Sequence, residues 1–234
     1  MTDLFSATDA TWPAAALHRA GAFMVREGRG GGQRVSAATA AGPWTEADID
    51  AAERLHARLG QRPLFMIRPG EEALDAALAA RGYRVKDPVN VHAAPIAALA
   101  AEPADPMAGF AIWPPLAIMR DLWKEGGIGP ERIAVMERVE GPRTAILGRV
   151  GDRCSGVAFV AIHDETAMLH ALHVAPDLRR QGSAVKIMRN AAHWAQDHGA
   201  ERFSVLVTEA NRPANALYAS LGMEIVGHYH YRSQ

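Results

Sequence analysis

Leu172-His173-Val174-Ala175-Pro176-Asp177-Leu178-Arg179-Arg180-Gln181-Gly182-Ser183-Ala184 is the stretch on which the reading of this chain turns. A β-branched strand ends at a proline, a short basic turn follows, and Gly182 stands where a helix begins. The predicted helix, roughly Val185 to His198, meets no acidic residue until Asp197. The first N–H groups of a helix have no intrahelical partner and carry partial positive charge, and glycine lets a phosphate come close to the backbone. The stretch therefore has the build of an anion site.

The bulk properties bound what such a site can serve. A chain of 234 residues allows one large domain or two small ones, and 49% hydrophobic residues are enough for a sizeable core. A net charge of −1 argues against a dedicated nucleic-acid binder. The single cysteine, Cys154, excludes an internal disulfide and fits a reducing compartment. Beside Ser155 and Gly156, at a predicted strand start, it reads as a small buried or turn residue and not as a nucleophile. The opening Met1-Thr2-Asp3-Leu4 has no charged-then-apolar pattern, and no apolar run is long enough to span a bilayer. The expectation is a cytoplasmic protein with no nucleic-acid and no membrane partner.

Periodicity and punctuation divide the rest. Strands are predicted at 22–26 and 34–38 around the Gly28–Gly32 turn. A helix starts at Thr45, a good cap with acids in the following turn, and repeats Ile49, Ala52, Leu55 and Leu59 up to Gly60. A strand at 63–67, a helix at 71–80 stopped by Gly82, and an extended run at 83–92 follow. The Ala- and Pro-rich stretch 93–115 reads as a connector. Helices at 116–124 and 131–139, strands at 144–150, 157–162, 167–174 and 203–208, a helix at 213–220 stopped by Gly222, and a strand at 224–231 complete the chain. The halves rhyme at an offset of 140, Gly82-Tyr83 matching Gly222-Met223, which points to an internal duplication.

A second motif lies one strand beyond the basic turn. Asn211 stands between a strand and a helix that has Pro213 near its start, and Asn215 and Tyr218 follow within that helix. Taken singly, Asn211 is a plain N-cap and Tyr218 a core aromatic; beside a phosphate turn they become site candidates.

Together these residues resemble the GCN5-related N-acetyltransferases. Arg179-Arg180-Gln181-Gly182-Ser183-Ala184 fits the (Arg/Gln)-x-x-Gly-x-(Gly/Ala) signature, with Val174-x-Pro176 before it and Asn211 and Asn215-x-x-Tyr218 after it. The resemblance covers roughly residues 110–234. It implies an α/β (α+β) fold: a mixed, mostly antiparallel twisted sheet flanked by helices, the acetyltransferase fold, here in tandem. It also implies acetyl transfer from acetyl-CoA, with no metal, to a primary amine of a small molecule or peptide, by direct attack in a ternary complex. In that family the pantetheine pairs with backbone at Leu172, His173 and Val174, the pyrophosphate meets the amides of Arg179, Arg180, Gln181, Gly182, Ser183 and Ala184, and Asn211 and Asn215 complete the cofactor side. Tyr218 resembles the tyrosine that protonates the departing sulfur.

The base is less marked. Strand alternation places Met168, His170, Leu172 and Val174 on one face and His173 on the other. The histone-acetylating branch would have a Glu at Met168, which cannot serve. Leu169-His170-Ala171-Leu172 is similar instead to the arylalkylamine N-acetyltransferases, in which a strand histidine aligned with His170 takes part in proton removal. His173, Glu137 and Glu165 remain alternatives. His228, Tyr229, His230 and Tyr231 have no carboxylate or Cys beside them to make a metal site and read as pocket lining or strand packing.

At the offset of 140, Tyr218 falls on Leu78, Asn215 on Asp75 and Asn211 on Glu71, and no basic Gly turn precedes Thr45. Residues 1–100 thus resemble a degenerate acetyltransferase domain and residues 101–234 the acetyl-CoA-binding one, with Trp12, Trp44 and Trp113 as candidates for the contact between them. The expected assembly is a monomer or homodimer. The rival reading is a non-catalytic acyl-CoA-binding sensor or regulatory module.

Overall fold

Thr45 shows how the local signals become structure. Its backbone N–H donates to Asp48 Oδ2 (2.8 Å), so the predicted cap closes the first turn of a helix that runs Glu46–Arg58. The computed structural model describes residues 4–234; Met1, Thr2 and Asp3, with the reading made of them, lie outside the described residues. In chain order the elements are α1 (Leu4–Thr11), β1 (Ala16–Ala20), β2 (Phe23–Glu27), β3 (Ala38–Ala40), α2 (Glu46–Arg58), β4 (Leu64–Ile67), α3 (Glu72–Ala80) and β5 (Arg84–Pro95). There follow α4 (Ile96–Leu99), β6 (Gly109–Ile112), α5 (Ala117–Glu125), α6 (Pro130–Glu137), β7 (Arg143–Val150), β8 (Arg153–His163) and β9 (Thr166–Val174). The chain ends with α7 (Ser183–Asp197), β10 (Arg202–Thr208), α8 (Arg212–Ser220) and β11 (Glu224–Ser233).

Two predicted stretches differ. Residues 34–38 do not form a strand: a 3-10 turn occupies Gln33–Val35, and β3 begins only at Ala38. Ser36 is drawn into that turn by its hydroxyl, which donates to Gly32 O (2.9 Å). Residues 93–115 are not a bare connector, since they hold the end of β5, the short α4 and β6. The Ala-rich composition hides β6, whose four residues pair antiparallel with β7.

The chain forms two compact units, and these are not successive halves. One consists of the residues up to Pro13, Val91–Leu206 and Arg212–Ile225; the other of Ala14–Asn90, Val207–Asn211 and Val226–Gln234. Helix α1 belongs with the later segment, and β11 from Val226 onward with the earlier one.

In the first unit β6, β7, β8 and β9 follow one another antiparallel, and β10 joins β9 in parallel. Helix α7 packs on one face so closely that a Cβ on Gly148 would meet the Ile187 side chain at 2.6 Å. On the other face the Thr8 hydroxyl of α1 lies 3.4 Å from the Met168 sulfur, and Phe159 meets Trp12 edge-on and Trp113 at a tilt of 53°. In the second unit β1–β2–β3 are antiparallel, β3 and β4 parallel, and β4 and β11 antiparallel. Its core gathers Phe23, Ile49, Phe65, Leu74, Leu78 and Tyr83, with Trp44 packed against it. Of the tryptophans proposed for a contact between halves, Trp12 does meet Phe159 and His170 of the later segment, whereas Trp44 packs among residues of the earlier one and Trp113 among residues of the later one. The order strand–strand–strand–helix–strand–helix–strand occurs twice, from β1 to β5 and from β7 to β11, and α3 and α8 start 140 residues apart, at Glu72 and Arg212.

The second unit is pinned by an ion pair. Arg232 of β11 reaches both oxygens of Asp75 in α3 (2.7 and 2.8 Å), and His230 Nε2 lies 2.7 Å from the same carboxylate. The guanidinium holds the Asp75 carboxyl down at about 2. A depressed folded value stabilises the fold above the unfolded carboxylate value of about 3.9 and loses that contribution as the pH falls through the folded value. Wild-type protein should therefore lose stability between about pH 4 and pH 2. Asp75→Asn should flatten that slope and cost about 1–3 kcal/mol at neutral pH. Denaturant unfolding followed by circular dichroism across this range checks both.

Candidate active site

β9 carries one residue too many for its partner. Phe159 of β8 faces His170, but Val157, two residues back along β8, faces His173, three residues on along β9. The surplus is taken up at Ala171, whose φ is +53°, a left-handed conformation that residues with a Cβ rarely adopt. Trp123 of α5 stabilises the bulge by donating its indole N–H to Ala171 O (2.8 Å). The bulge changes which side chains share a face. Residues opposite Phe159 and Val157 lie on the same side of the sheet, so His170 and His173 stand together with Met168. Leu172 and Val174 turn to the α7 face, where Val174 lies opposite Gly156. The alternation expected from sequence, with His173 opposed to His170, is overturned by this single residue.

The β9/β10 ladder ends where the bulge region begins. Its last pair is Leu169 with Val205, so the β9/β10 ladder does not reach Leu172, His173 and Val174. Ala171 O and Val174 O in this segment accept from Trp123 and Arg179 side chains, and the strand edge that has left its ladder is where an extended ligand can pair.

The two histidines differ in what they can do. His170 is 5% exposed and boxed by Trp12 (4.9 Å between rings) and Phe159. Its Nε2 lies 3.0 Å from the Thr11 hydroxyl, whose proton goes to Ala7 O (2.7 Å). A hydroxyl has one proton, so Thr11 accepts and His170 Nε2 donates, which puts the ring lone pair on Nδ1. His173 rests against Gly126, where a Cβ would meet its Nδ1 at 2.5 Å. Its Nε2 is buried without a hydrogen bond, and the Glu125 carboxylate stands 3.8 Å away. Burial lowers the His173 pKa, an effect partly offset by the Glu125 carboxylate. The other two candidates stand apart: Glu137 is exposed and paired with Arg120, and Glu165 lies in the β8–β9 turn, at the far end of β9.

Beyond β9, the basic turn is exposed from Arg179 to Gly182. Its shape is held from below: Arg179 Nε donates to Val174 O (3.1 Å), Gln181 Nε2 to Asp177 O (3.3 Å) and the Ser183 hydroxyl to Leu178 O (3.3 Å). Arg180 and Gly182 are both left-handed, with φ of +62° and +77°, a kind of turn that can present backbone amides to an anion. The helical ladder opens with Lys186 N–H to Gly182 O (3.0 Å), which leaves the N–H groups of Ser183, Ala184 and Val185 ahead of it. No side chain caps this terminus, no acid lies in its first turn, and a Cβ on Gly182 would meet nothing within 4 Å. The donor set thus fits a diphosphate.

The start of α2 in the second unit is the contrast. There Glu46 and Asp48 fill the first turn, and Asp48 closes onto Thr45 and accepts from Ala22 N–H. The start of α3 is closed as well, since Glu71 turns its carboxylate back to Arg68 N–H (2.7 Å) and burial raises its pKa. The corresponding Asn211 lies in the turn before α8, its N–H donating to Thr208 O (3.0 Å).

Within α8, Tyr218 is 6% exposed and burial pushes its pKa up to about 12. Asn215, one turn earlier, accepts at Oδ1 from His92 of β5 (3.0 Å), a residue that the sequence reading did not single out. No local signal marks His92, because it comes from a strand more than a hundred residues away. Of the C-terminal histidines, His228 pairs with Asn90 (3.0 Å) and His230 with Asp75, while Tyr229 and Tyr231 are buried. Among the described residues no cluster of three or more His, Cys, Asp or Glu could hold a metal ion, and no helix is long and apolar enough to cross a membrane.

Comparison with known proteins agrees with this geometry. Residues 116–223 match the model of the acetyltransferase (GNAT) family. A Bacillus subtilis (strain 168) protein named as the uncharacterized N-acetyltransferase YobR is 25% identical over 95% of this chain and 94% of its own. The solved GCN5-related N-acetyltransferase from Kribbella flavida superposes with a TM-score of 0.72 at 18% identity, over 99% of this chain and 94% of that one. A tandem GNAT protein from the clavulanic acid biosynthesis pathway superposes at 0.62 with 15% identity, over 85% of this chain and 74% of that one.

The bulge generates a direct test. Trp123→Phe keeps an aromatic ring but leaves Ala171 O without its indole donor, and should lower the unfolding free energy from denaturant titration by about 1–2 kcal/mol. Gly126→Val should displace His173 without touching the Arg179–Ala184 turn, an outcome visible in histidine NMR shifts.

Proposed function

Because the chain belongs, through residues 116–223, to the acetyltransferase (GNAT) family and is an acyltransferase, we propose that it moves an acetyl group from acetyl-CoA to a primary amine of a small molecule or peptide. One observation carries this reading. Two helices follow the third strand of their runs, yet α2 is closed by its own carboxylates while α7 opens on a left-handed glycine with uncapped amides. An uncapped, acid-free terminus beside exposed Arg179 and Arg180 suits a diphosphate; a capped, acidic one repels it.

Acetyl-CoA supplies a thioester, and the chain supplies the rest. The amides from Arg179 to Ala184 and the edge of β9 from Leu172 to Val174 seat the cofactor, and Asn211 and Asn215 are the further candidates that the family resemblance supplies. Holding both substrates together provides much of the rate. Backbone N–H groups on the open β9 edge are the donors for negative charge developing on the acetyl oxygen. Tyr218, kept protonated by burial, delivers a proton to the departing sulfur. Proton removal from the attacking ammonium falls to the histidine pair on β9. His173, whose Nε2 lies 3.8 Å from the Glu125 carboxylate, is the candidate acceptor, and His170 holds α1 on the sheet.

The first half we read as a copy that kept the scaffold and lost the cofactor seat. The repeated element order, the acids at the α2 start and Glu71 in place of Asn211 support this. A reducing, cytoplasmic setting and a monomer or homodimer go with the same reading.

An acceptor screen with purified protein, following release of free CoA thiol, tests the activity. No turnover across a broad amine panel, with acetyl-CoA still bound, would make the protein a sensor. Gly182→Val should raise the KM for acetyl-CoA at least about tenfold with little change in melting temperature, because the substitution strains the left-handed turn and crowds the amides. Tyr218→Phe should lower kcat about a hundredfold. His173→Gln should lower kcat and abolish an acid limb lying below the ordinary histidine value of 6.5, whereas His170→Gln should mainly lower stability.

A further inference from the structure

His92 stands where a purely structural pin would be cheaper. Its ring lies 5.5 Å from the Tyr218 ring, tilted by 58°, and the residue is 2% exposed. Its Nε2 is 3.0 Å from Asn215 Oδ1, and a carboxamide oxygen only accepts, so Nε2 bears the proton and Nδ1 the lone pair. That Nδ1 is buried with no hydrogen-bond partner. The strand is fixed at this point, since His92 O accepts from the fully buried Ser204 hydroxyl (2.9 Å).

The second unit solves the same mechanical problem differently. At the offset of 140, His92 corresponds to Arg232 and Asn215 to Asp75. Each pair ties the middle of a helix, α8 or α3, to a long strand. Arg232 and Asp75 do so with a two-pronged ion pair, and Arg232 also donates to Tyr83 O (3.0 Å). His92 and Asn215 do so with a neutral bond that leaves a buried acceptor unfilled, which costs stability. Stability alone does not favour that exchange. Neutrality beside Tyr218 does: a carboxylate there would tighten the phenol's hold on its proton, and a guanidinium would compete for the site of the departing thiolate.

We propose that His92, supplied by β5 from the half of the chain that lacks the phosphate turn, is a positioning residue for Tyr218, acting through Asn215 and through its own ring. The inference rests on Tyr218 as the proton donor. It makes the first half part of the catalytic apparatus and not only a scaffold.

The test is a double-mutant cycle in the full-length chain, with acetyl-CoA and whichever panel amine turns over. His92→Leu should lower kcat at least about tenfold, change the KM for acetyl-CoA less than about twofold, and cost nothing further in a Tyr218→Phe background. His92→Gln, which keeps a donor for Asn215, should recover most of the loss, and serves in the same cycle if the Leu variant does not fold. An equal loss with and without the Tyr218 hydroxyl overturns the proposal, because a merely structural role acts in both backgrounds. A Tyr218→Phe protein as fast as wild type fails the proton-donor reading instead. NMR of ¹³Cζ-tyrosine protein then judges His92 by itself: among four tyrosines, only the Tyr218 resonance should move in His92→Leu and return in His92→Gln, and an unmoved Tyr218 resonance overturns the proposal.

Discussion

The extra residue in β9 is the constraint on which the site depends. A strand that kept perfect alternation would send His173 to the α7 face, where Ile187 already fills the space left by Gly148 and Gly156. With Ala171 left-handed, the strand turns by one side chain, and His170 and His173 emerge on the same face. The same irregularity coincides with the end of the β9/β10 ladder after Leu169 and Val205. Pairing and alternation fail together, so the segment that loses its neighbour is also the one whose side chains are re-aimed. Left-handed alanine is costly, and the indole donor from Trp123 together with the packing of α5 holds it in place.

The second constraint is electrostatic. Two helices in equivalent positions begin with opposite chemistry, although their backbones are the same kind of object. Every α-helix offers an anion its first amides; whether it keeps the offer open is decided by two or three side chains. In α2 those side chains are Thr45, Glu46 and Asp48, and the offer is withdrawn. In α7 they are Gly182, Ser183 and Ala184, and the one hydroxyl among them is turned inward to Leu178 O. The two helix starts differ in their side chains and not in the kind of backbone they offer.

This division explains how much could be read from the sequence. The Gly182 turn, the Thr45 cap and the helices ending near Gly60, Gly82 and Gly222 were legible, because caps and turns are local and glycine marks left-handed positions. The faces of β9 were not. A bulge at an alanine leaves no compositional trace; it is imposed by the register with β8 and the pull of Trp123, which is 48 residues distant. The strand at Gly109–Ile112 was equally hidden, being four residues long and defined only by its pairing with β7. Unit boundaries failed to show for the same reason: α1 is set with the later segment by Thr11 meeting His170 and Thr8 meeting Met168, contacts that span about 160 residues.

Long-range contacts of this kind also decide what the first half contributes. Segment Val91–Pro95 of β5 belongs to the unit that carries the basic turn, and β11 from Val226 onward belongs to the other. Each unit therefore closes with strand residues from the opposite half of the chain. On the reading proposed above, a half without a cofactor seat is retained because its last strand completes the other unit. The His92–Asn215 bond is where that dependence becomes chemical, since the strand brings a neutral, hydrogen-bonding ring to a buried phenol instead of the ion pair found at the equivalent place. Sheet completion alone would be satisfied by any side chain that packs; a buried imidazole with an unfilled nitrogen is a more specific demand.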